Sequence, residues 1–590
     1  MVRVWTTRPE LWGTFGMVSS THHLATAAGM SVLEHGGTAV DAAVAAGFAL
    51  QVAEPHLNGP GGDMSLLFAG PDGLPTVLCA QGPAPAAASA AHYRSLGLDL
   101  VPGAGLLAAA IPGSTVSWLT LLRDHGTFAL SDVLPYAIHL AEGGVPVLPT
   151  ISAAIGGVRE LFTEHWPTSA AVYLDGGAAP AARSVLRNPV LARTYRRLLA
   201  AAEAAGPRRE QQLDGAIRAW TEGFVAEAVD AFARQELMDS SGTPHAGVIT
   251  GADLAGWRPG YEAPATARFG DWTVAKTPAW GQGPVLLQQL RMLERLGLPG
   301  AVPDGSAAFV HTVTEVAKLA FADRDAWYGD SADVPLADLL SDDYTAQRVA
   351  LVGERADGDL RPGSPGGRTP RLPDFPGAAV RFAGSGEPTI ARSGVVRGDT
   401  CHVDVVDRWG NTVAAMPSGG WLQSSPVIPE LGFPLGSRLQ MTTLEVGLPA
   451  TLTPGRRPRT TLSPSMALRD GRVEIAFGTP GGDQQDQWQL VFFLRVAAGL
   501  NLQEAIDAPM FHSTHMPSSF HPRTATPLEV VAEDRWGSEV LDTLEDLGHR
   551  VIRSGPWTLG RMCAVRRDPE AGLLHAAADP RGSQGYAAGR

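Results

Sequence analysis

The stretch "RGDTCHVDVVDRWGN", Arg397 to Asn411, sets a Gly-Asp-Thr triplet directly before an apolar run and a turn. A threonine hydroxyl is a poor nucleophile at neutral pH unless a base lies beside it, and one such base is the threonine's own α-amino group. A free α-amine titrates at about 7.7 to 8.0, so an appreciable fraction is neutral near pH 7. Exposing that amine in mid-chain requires cutting the Asp399-Thr400 bond. The surroundings suit such a cut. Residues 353–399 are crowded with Gly, Pro and Arg and read as a mobile surface segment, while "CHVDVV" and "TVAAM" flank the turn "DRWGN" and predict a hairpin that would hold the new terminus.

A second chemical feature is "GTPGGD", Gly478 to Asp483, where Gly481 and Gly482 offer consecutive backbone N–H groups after a strand-like run. Such a pair can form an oxyanion hole, although a tight turn that only glycine can make accounts for the same letters. The turns "HLNGPGGD" and "PGSPGG" lack the Gly-Lys-Ser/Thr ending that holds a nucleotide phosphate, so no nucleotide cofactor is expected. His512, His515 and His521 cluster without carboxylate or cysteine partners at ligand spacing and read as solvated loop histidines, so no metal is expected either. No G-x-S-x-G elbow occurs. Lys276 and Lys318 are the only lysines that could carry Schiff-base chemistry.

The elements that must position these groups alternate in type along 590 residues. "THHLATAAGMSVLEHGG" predicts a helix closed by Gly36-Gly37, and "TAVDAAVAAGFALQVAE" a second, buried one with Val40, Val44, Phe48 and Val52 on one stripe. A strand is expected from Met64 to Phe68. The middle of the chain, about 112–343, reads as mostly helical, and the last third mixes strands such as "RVEIAFGTPGG" with helices such as "LQEAIDAPMF". The class is α/β or α+β. A net charge of -14, from 46 basic and 60 acidic residues, disfavours nucleic acid and anionic lipid as partners. Three dispersed cysteines suggest no disulfide framework. The absence of a signal-peptide core or a long apolar window gives the expectation of a cytoplasmic protein with no membrane contact.

Beyond these residue-level readings, the chain resembles the γ-glutamyltranspeptidase family of N-terminal-nucleophile (Ntn) hydrolases. The resemblance runs from "ATAAGMSVLEHGGTAVDAAVAAGFALQVAEPHLNGPGGD" through "PAWGQGPVLLQQLRMLE" and "EVAKLAFADRDAWYGD" to "GDTCHVDVVDRWGNTVAAM", "RRPRTTLSPSMAL" and "GTPGGDQQDQW". It implies an α+β, four-layer αββα sandwich built from one precursor that cleaves itself into a large subunit, about 1–399, and a small one, about 400–590. It implies no cofactor and a small-molecule substrate, and leaves a higher oligomer open.

The resemblance makes Thr400 the nucleophile, Ser418 a hydroxyl hydrogen-bonded to it, Gly481 and Gly482 the oxyanion hole, and Thr460 and Thr461 the pair that contacts the substrate carboxylate. Departures fall on the reader of the γ-glutamyl group. Ala90 stands where the family has a carboxylate-clamping arginine, Gln440 or Met441 where it has an acidic residue, and Gly420 where it has asparagine. Arg438 is the substitute cation that the sequence suggests. The implied activity is cleavage of an amide of a small acidic compound through an acyl-threonine. Its alternatives are a specialised member such as an oxamate-type amidohydrolase, an acylase or a C–C hydrolase releasing an oxalyl-type group, and, from another class, an unprocessed binding protein.

Overall fold

The structure is a computed structural model, and it describes residues 5–71, 73–298, 300, 304–374, 400–582 and 584–590. Two seven-stranded antiparallel sheets form its centre. One runs, in spatial order, Leu11–Gly13, Leu573–Ala578, Cys563–Asp568, Arg472–Gly478, Ser465–Arg469, Trp272–Lys276, Ala265–Phe269. The other runs Tyr586–Gly589, Gly16–Ser20, Val403–Asp407, Thr412–Ser418, Asp63–Ala69, Pro75–Ala80, Gly260–Glu262. Both sheets therefore combine strands from before and after Thr400, which requires the two parts of the chain to fold together.

Side-chain alternation along the strands sorts residues into layers. Val403, Val405, Val413 and Ala415 face the helices His23–Glu34 and Ala39–Ala53, whereas Val406 and Ala414 turn inward to meet Ala275, Met466 and Ala476 of the other sheet. On the far side of that second sheet, Val274, Ile475 and Phe477 pack beneath Gly283–Arg295, Ala307–Trp327 and Gln485–Ala497. The order is helix, sheet, sheet, helix, the expected αββα sandwich. Every residue of Ala39–Ala53 is buried. Its alanines let the helix lie close to the sheet on one side and to Ser114–His125 on another, and a Thr38–Asp41 capping box fixes its start.

The expected hairpin forms, with Val406 paired to Thr412. Asp407 Oδ1 accepts from the N–H groups of Trp409 (2.9 Å) and Asn411 (3.0 Å), closing the turn. The Gly- and Pro-rich run is less loose than its composition predicts, at least over 353–374. There Ala356 N–H donates to Leu547 O (2.8 Å), Gly363 N–H to Asp323 Oδ1 (2.7 Å), and Arg371 pairs with Glu445 (3.1 Å). Backbone bonding to fixed partners replaces the side-chain periodicity that the segment lacks. The remainder of the segment, including Asp399, lies outside the described residues. No helix among the described residues is long and apolar enough to cross a membrane.

The expectation of solvated histidines is corrected. His512 lies in the strand Phe511–Ser513, fully buried against Trp488, and His515 is also buried, accepting at Nδ1 from Leu528 N–H (3.1 Å). Apolar neighbours distant in sequence enclose a loop whose local composition is polar. Burial lowers the pKa of His22, His56, His512 and His549 from 6.5 to about 3, and of His515 and His521 to about 4. Below pH 6.5 the unfolded chain takes up protons that these folded-state imidazoles refuse, so stability present above 6.5 is lost as pH falls. Asp404 and Asp579, raised from 3.8 to about 6 by burial, act in the opposite direction between those values. Burial also raises Glu54, Asp323, Glu474 and Asp486 in that opposing sense and lowers His125 with the other imidazoles, so seven histidines face six carboxyls and set the sign by a narrow margin: the thermal midpoint should fall from pH 6.5 to pH 4.5. A midpoint that is flat or rises over that interval would contradict this.

Candidate active site

Thr400 sits at the entrance of the strand Val403–Asp407, in an isolated bridge with Ser418 at the end of the neighbouring strand. Its Oγ1 lies 3.1 Å from Ser418 Oγ, and both residues are buried. The next residues are held independently of Thr400. Cys401 N–H donates to Pro417 O (2.9 Å), while its Sγ donates to Glu54 Oε2 (3.1 Å) and accepts from Asn58 Nδ2 (3.0 Å). Thr21 N–H donates to His402 O (3.1 Å). These contacts anchor the backbone immediately after the hydroxyl to helix and sheet residues from the beginning of the chain.

The Gly-rich turn "HLNGPGGD" has a structural purpose that its phosphate-loop appearance conceals. A Cβ at Gly62 would lie 2.1 Å from Ser418 O, so only glycine lets this turn press against the end of the Ser418 strand. The contact delivers Asp63, whose register partner is Ser418. Asp63 in turn captures Arg438, through Nε to Oδ2 (2.5 Å) and Nη2 to Oδ1 (2.8 Å), and Arg438 Nη2 also donates to Ser418 Oγ (3.1 Å). Arg438 is therefore at the site, 4% exposed, with its charge matched by Asp63. Trp421 lies under its guanidinium, 5.7 Å from the charge to the ring centroid.

Gly478 ends its strand against the His402 ring, and the chain then turns through Gly481 (φ +137°) and Gly482 (φ +54°) before the helix Gln485–Ala497. A Cβ at Gly481 would lie 2.4 Å from the Trp488 ring. Gly482 O accepts from Gln282 Nε2 (3.1 Å). Asp483 fixes the turn from behind, accepting from Ser519 N–H (2.7 Å), Ser519 Oγ (2.5 Å) and Arg324. Burial opposes ionisation of Asp483, but Arg324 and Arg459 outweigh it and hold the carboxyl below its usual range.

Thr460 and Thr461 lie on a buried connection registered against Gly281, with Thr460 N–H donating to Trp280 O (3.1 Å). Two residues on, Ser463 N–H reaches Met416 Sδ (3.2 Å) on the Ser418 strand. Ser418 thus touches both Thr400 and Arg438, while Gly478, before the Gly481-Gly482 turn, abuts His402, and Ser463, two residues after Thr461, abuts the Ser418 strand.

Residues at the family departures are occupied otherwise. Gln440 donates to Gly103 O and Ser437 Oγ (3.0 Å each) and accepts from His521 N–H (3.1 Å). Met441 packs with Trp421 and Phe520, and Ala90 with Leu439. Lys276 is enclosed by Asp486 (2.9 Å), Ser463 O and Ser465 Oγ, and Lys318 pairs with Glu315, so both lysines serve internal ion pairs.

Sequence reasoning missed Asp63, Gln282, Arg459, Asp483 and Ser519. Asp63 was legible only as the last letter of a supposed phosphate turn. It also missed a convergence of His311, Glu315 and His549, whose ligating atoms lie within 4.8 Å of one another. His311 Nδ1 and His549 Nε2 are 2.8 Å apart, and Glu315 is neutralised by Lys318.

A threonine leading into an inner strand of an αββα sandwich is the framework of the N-terminal-nucleophile hydrolases. Within that class the chain belongs to the γ-glutamyltranspeptidase family, whose profile matches residues 25–589. It is 31% identical to the oxamate amidohydrolase proenzyme of Klebsiella pneumoniae subsp. pneumoniae, over 98% of each chain. Among solved structures, that of LmbA2991HD is 57% identical over the full length of both chains, with a TM-score of 0.94. The cephalosporin acylase from Bacillus halodurans is 25% identical, covering 100% of this chain and 98% of that one, with a TM-score of 0.83. The fold and the hydrolase family expected from the sequence are those found.

Proposed function

We propose that this chain is a self-processing Ntn hydrolase that cleaves itself between Asp399 and Thr400 and then hydrolyses, or transfers, the acyl group of a small acidic amide. The observation that carries the reading is the buried pair of hydroxyls, Thr400 Oγ1 and Ser418 Oγ, at 3.1 Å, one leading into the strand Val403–Asp407 and the other ending its neighbour. In processing, Oγ1 attacks the Asp399 carbonyl, the peptide bond to Thr400 N breaks with an N-to-O acyl shift, and water hydrolyses the resulting ester. This leaves the Asp399 carboxylate and a free α-amine on Thr400. In turnover, that amine takes the Oγ1 proton, the hydroxyl attacks the substrate carbonyl to form an acyl-threonine, and the amine returns the proton to the leaving group. Gly481 and Gly482 N–H groups stabilise the oxyanion at each stage.

A specialised substrate is favoured over a γ-glutamyl one by a specific observation. Arg438 is paired with Asp63, Ala90 and Met441 are apolar, and Gln440 is bonded within the protein, so the family's γ-glutamyl reader has no counterpart at these positions. The relation to oxamate amidohydrolase and to cephalosporin acylase supports the same reading. Rates with γ-glutamyl, oxamoyl and aryl-acyl amides test it; a kcat/KM for γ-glutamyl amides well above the other two would overturn the specialised reading.

Gly481→Ala adds a Cβ within 2.4 Å of the Trp488 ring at a backbone angle that L-residues rarely adopt. The turn must shift, and a displaced donor should lower the hydrolysis rate by about 10²- to 10³-fold. Single-turnover measurement with the processed enzyme checks this, and a wild-type rate would remove Gly481 from the oxyanion hole.

A further inference from the structure

Behind the Gly481-Gly482 turn lies a buried cluster of three guanidinium groups, Arg324, Arg459 and Arg523, and two carboxylates, Asp325 and Asp483. Arg324 is bonded to both carboxylates and to Gln282 Oε1 (3.2 Å). Arg523 Nη2 donates to Gln440 O (2.6 Å) and Thr442 O (2.9 Å). Arg459 is 3% exposed and donates through Nη2 to Ser519 Oγ (3.0 Å), with Asp325 Oδ1 at 3.8 Å. Its Nη1 has no hydrogen-bond partner among the described residues, and neither has the hydroxyl of nearby Thr461. Leaving a guanidinium edge buried and unpaired is costly, and three cations against two anions leave one positive charge uncompensated. Burial and Arg324 together lower the Arg459 pKa from 12.5 to about 9, as expected of a cation short of a counter-charge.

The cluster adjoins three segments of the candidate site. Arg459 precedes Thr460-Thr461, Asp483 follows Gly482, and Arg523 bonds the turn Arg438–Met441 at Gln440. A carboxylate entering between these segments would supply the missing negative charge and accept from Arg459 Nη1 and Thr461 Oγ1. Arg438 has its charge already matched by Asp63. From the proposed activity on a small acidic amide, we propose that Arg459 is the residue that recognises the substrate's carboxylate, beside the Thr460-Thr461 pair to which the family resemblance already assigns that contact.

The test is calorimetric titration of the wild-type chain, Arg459→Gln and Arg459→Lys with oxamate, with L-glutamate and with oxamide as a neutral control. The wild type should bind at least one of the two anions. Arg459→Gln should weaken that binding about a hundredfold and Arg459→Lys about tenfold, because an ammonium restores charge without the planar fork. Oxamide binding should be the same in all three. Anion binding unchanged in Arg459→Gln, or absent from the wild type, overturns the proposal. Should Arg459→Gln fail to fold, the Lys variant decides alone, its unfolding midpoint being compared with wild type. Intact mass on the same samples separates the two readings. A cut wild type with Arg459-independent binding removes only the carboxylate role, whereas an uncut wild type that binds through Arg459 removes only the self-processing threonine.

Discussion

Thr400→Ala should remain a single chain of 590 residues after prolonged incubation, while the wild type separates into two fragments, the smaller beginning Thr-Cys-His-Val. The substitution removes the only atom proposed to attack the Asp399 carbonyl, so the loss in processing should be complete on the timescale of hours. Hydrolytic activity should fall by at least about 10⁴-fold, since loss of a nucleophile acting in concert with its base forfeits most of the acceleration at once. Stability should change modestly, because only Oγ1 and the Cγ2 methyl of one buried residue are lost while Cys401 and His402 keep their own anchors. Intact mass, N-terminal sequencing and a urea midpoint together check this. A Thr400→Ala chain that is cut at the same bond would place the nucleophile elsewhere; an uncut wild type would favour the unprocessed binding protein.

The second large effect is expected at Arg438. Its guanidinium is 3% exposed and its partner carboxylate on Asp63 is 6% exposed. Arg438→Ala strands that carboxylate in the interior, a change that typically costs about 3–5 kcal/mol. It also removes the donor to Ser418 Oγ. With one lone pair of Ser418 engaged by Arg438, the Ser418 proton is biased toward Thr400 Oγ1, and losing that bias should slow self-cleavage as well as lower stability. The double change Arg438→Met with Asp63→Leu removes both charges and should recover much of the stability but none of the cleavage rate. That split between two readouts distinguishes a positioning residue from a merely structural pair. Wild-type stability and processing in Arg438→Ala would show that the ion pair does neither job.

Arg438 also shows what the letters withheld. Its position beside the departures at Gln440 and Met441 suggested a cation available to substrate, and nothing nearby in sequence announces Asp63, 375 residues earlier. The pairing arises because Gly62 lets one strand start press against the end of another. Arg459 was invisible for a similar reason: its importance lies in an unfilled hydrogen-bond edge, a property of three-dimensional accounting rather than of residue type. The histidines 512 and 515 failed in the opposite direction, a polar-looking loop being buried by distant apolar partners.

The sequence by itself determined the family, the αββα class, the helix Ala39–Ala53, the hairpin around Asp407–Asn411 and the candidacy of Thr400, Ser418 and the Gly-Gly turn. Each of these rests on local signals: periodicity, turn chemistry, or motifs contiguous in the chain. Only the tertiary structure decided which cation is matched and which is left short of a counter-charge, because charge pairing and burial depend on groups hundreds of residues apart that share one sandwich interior.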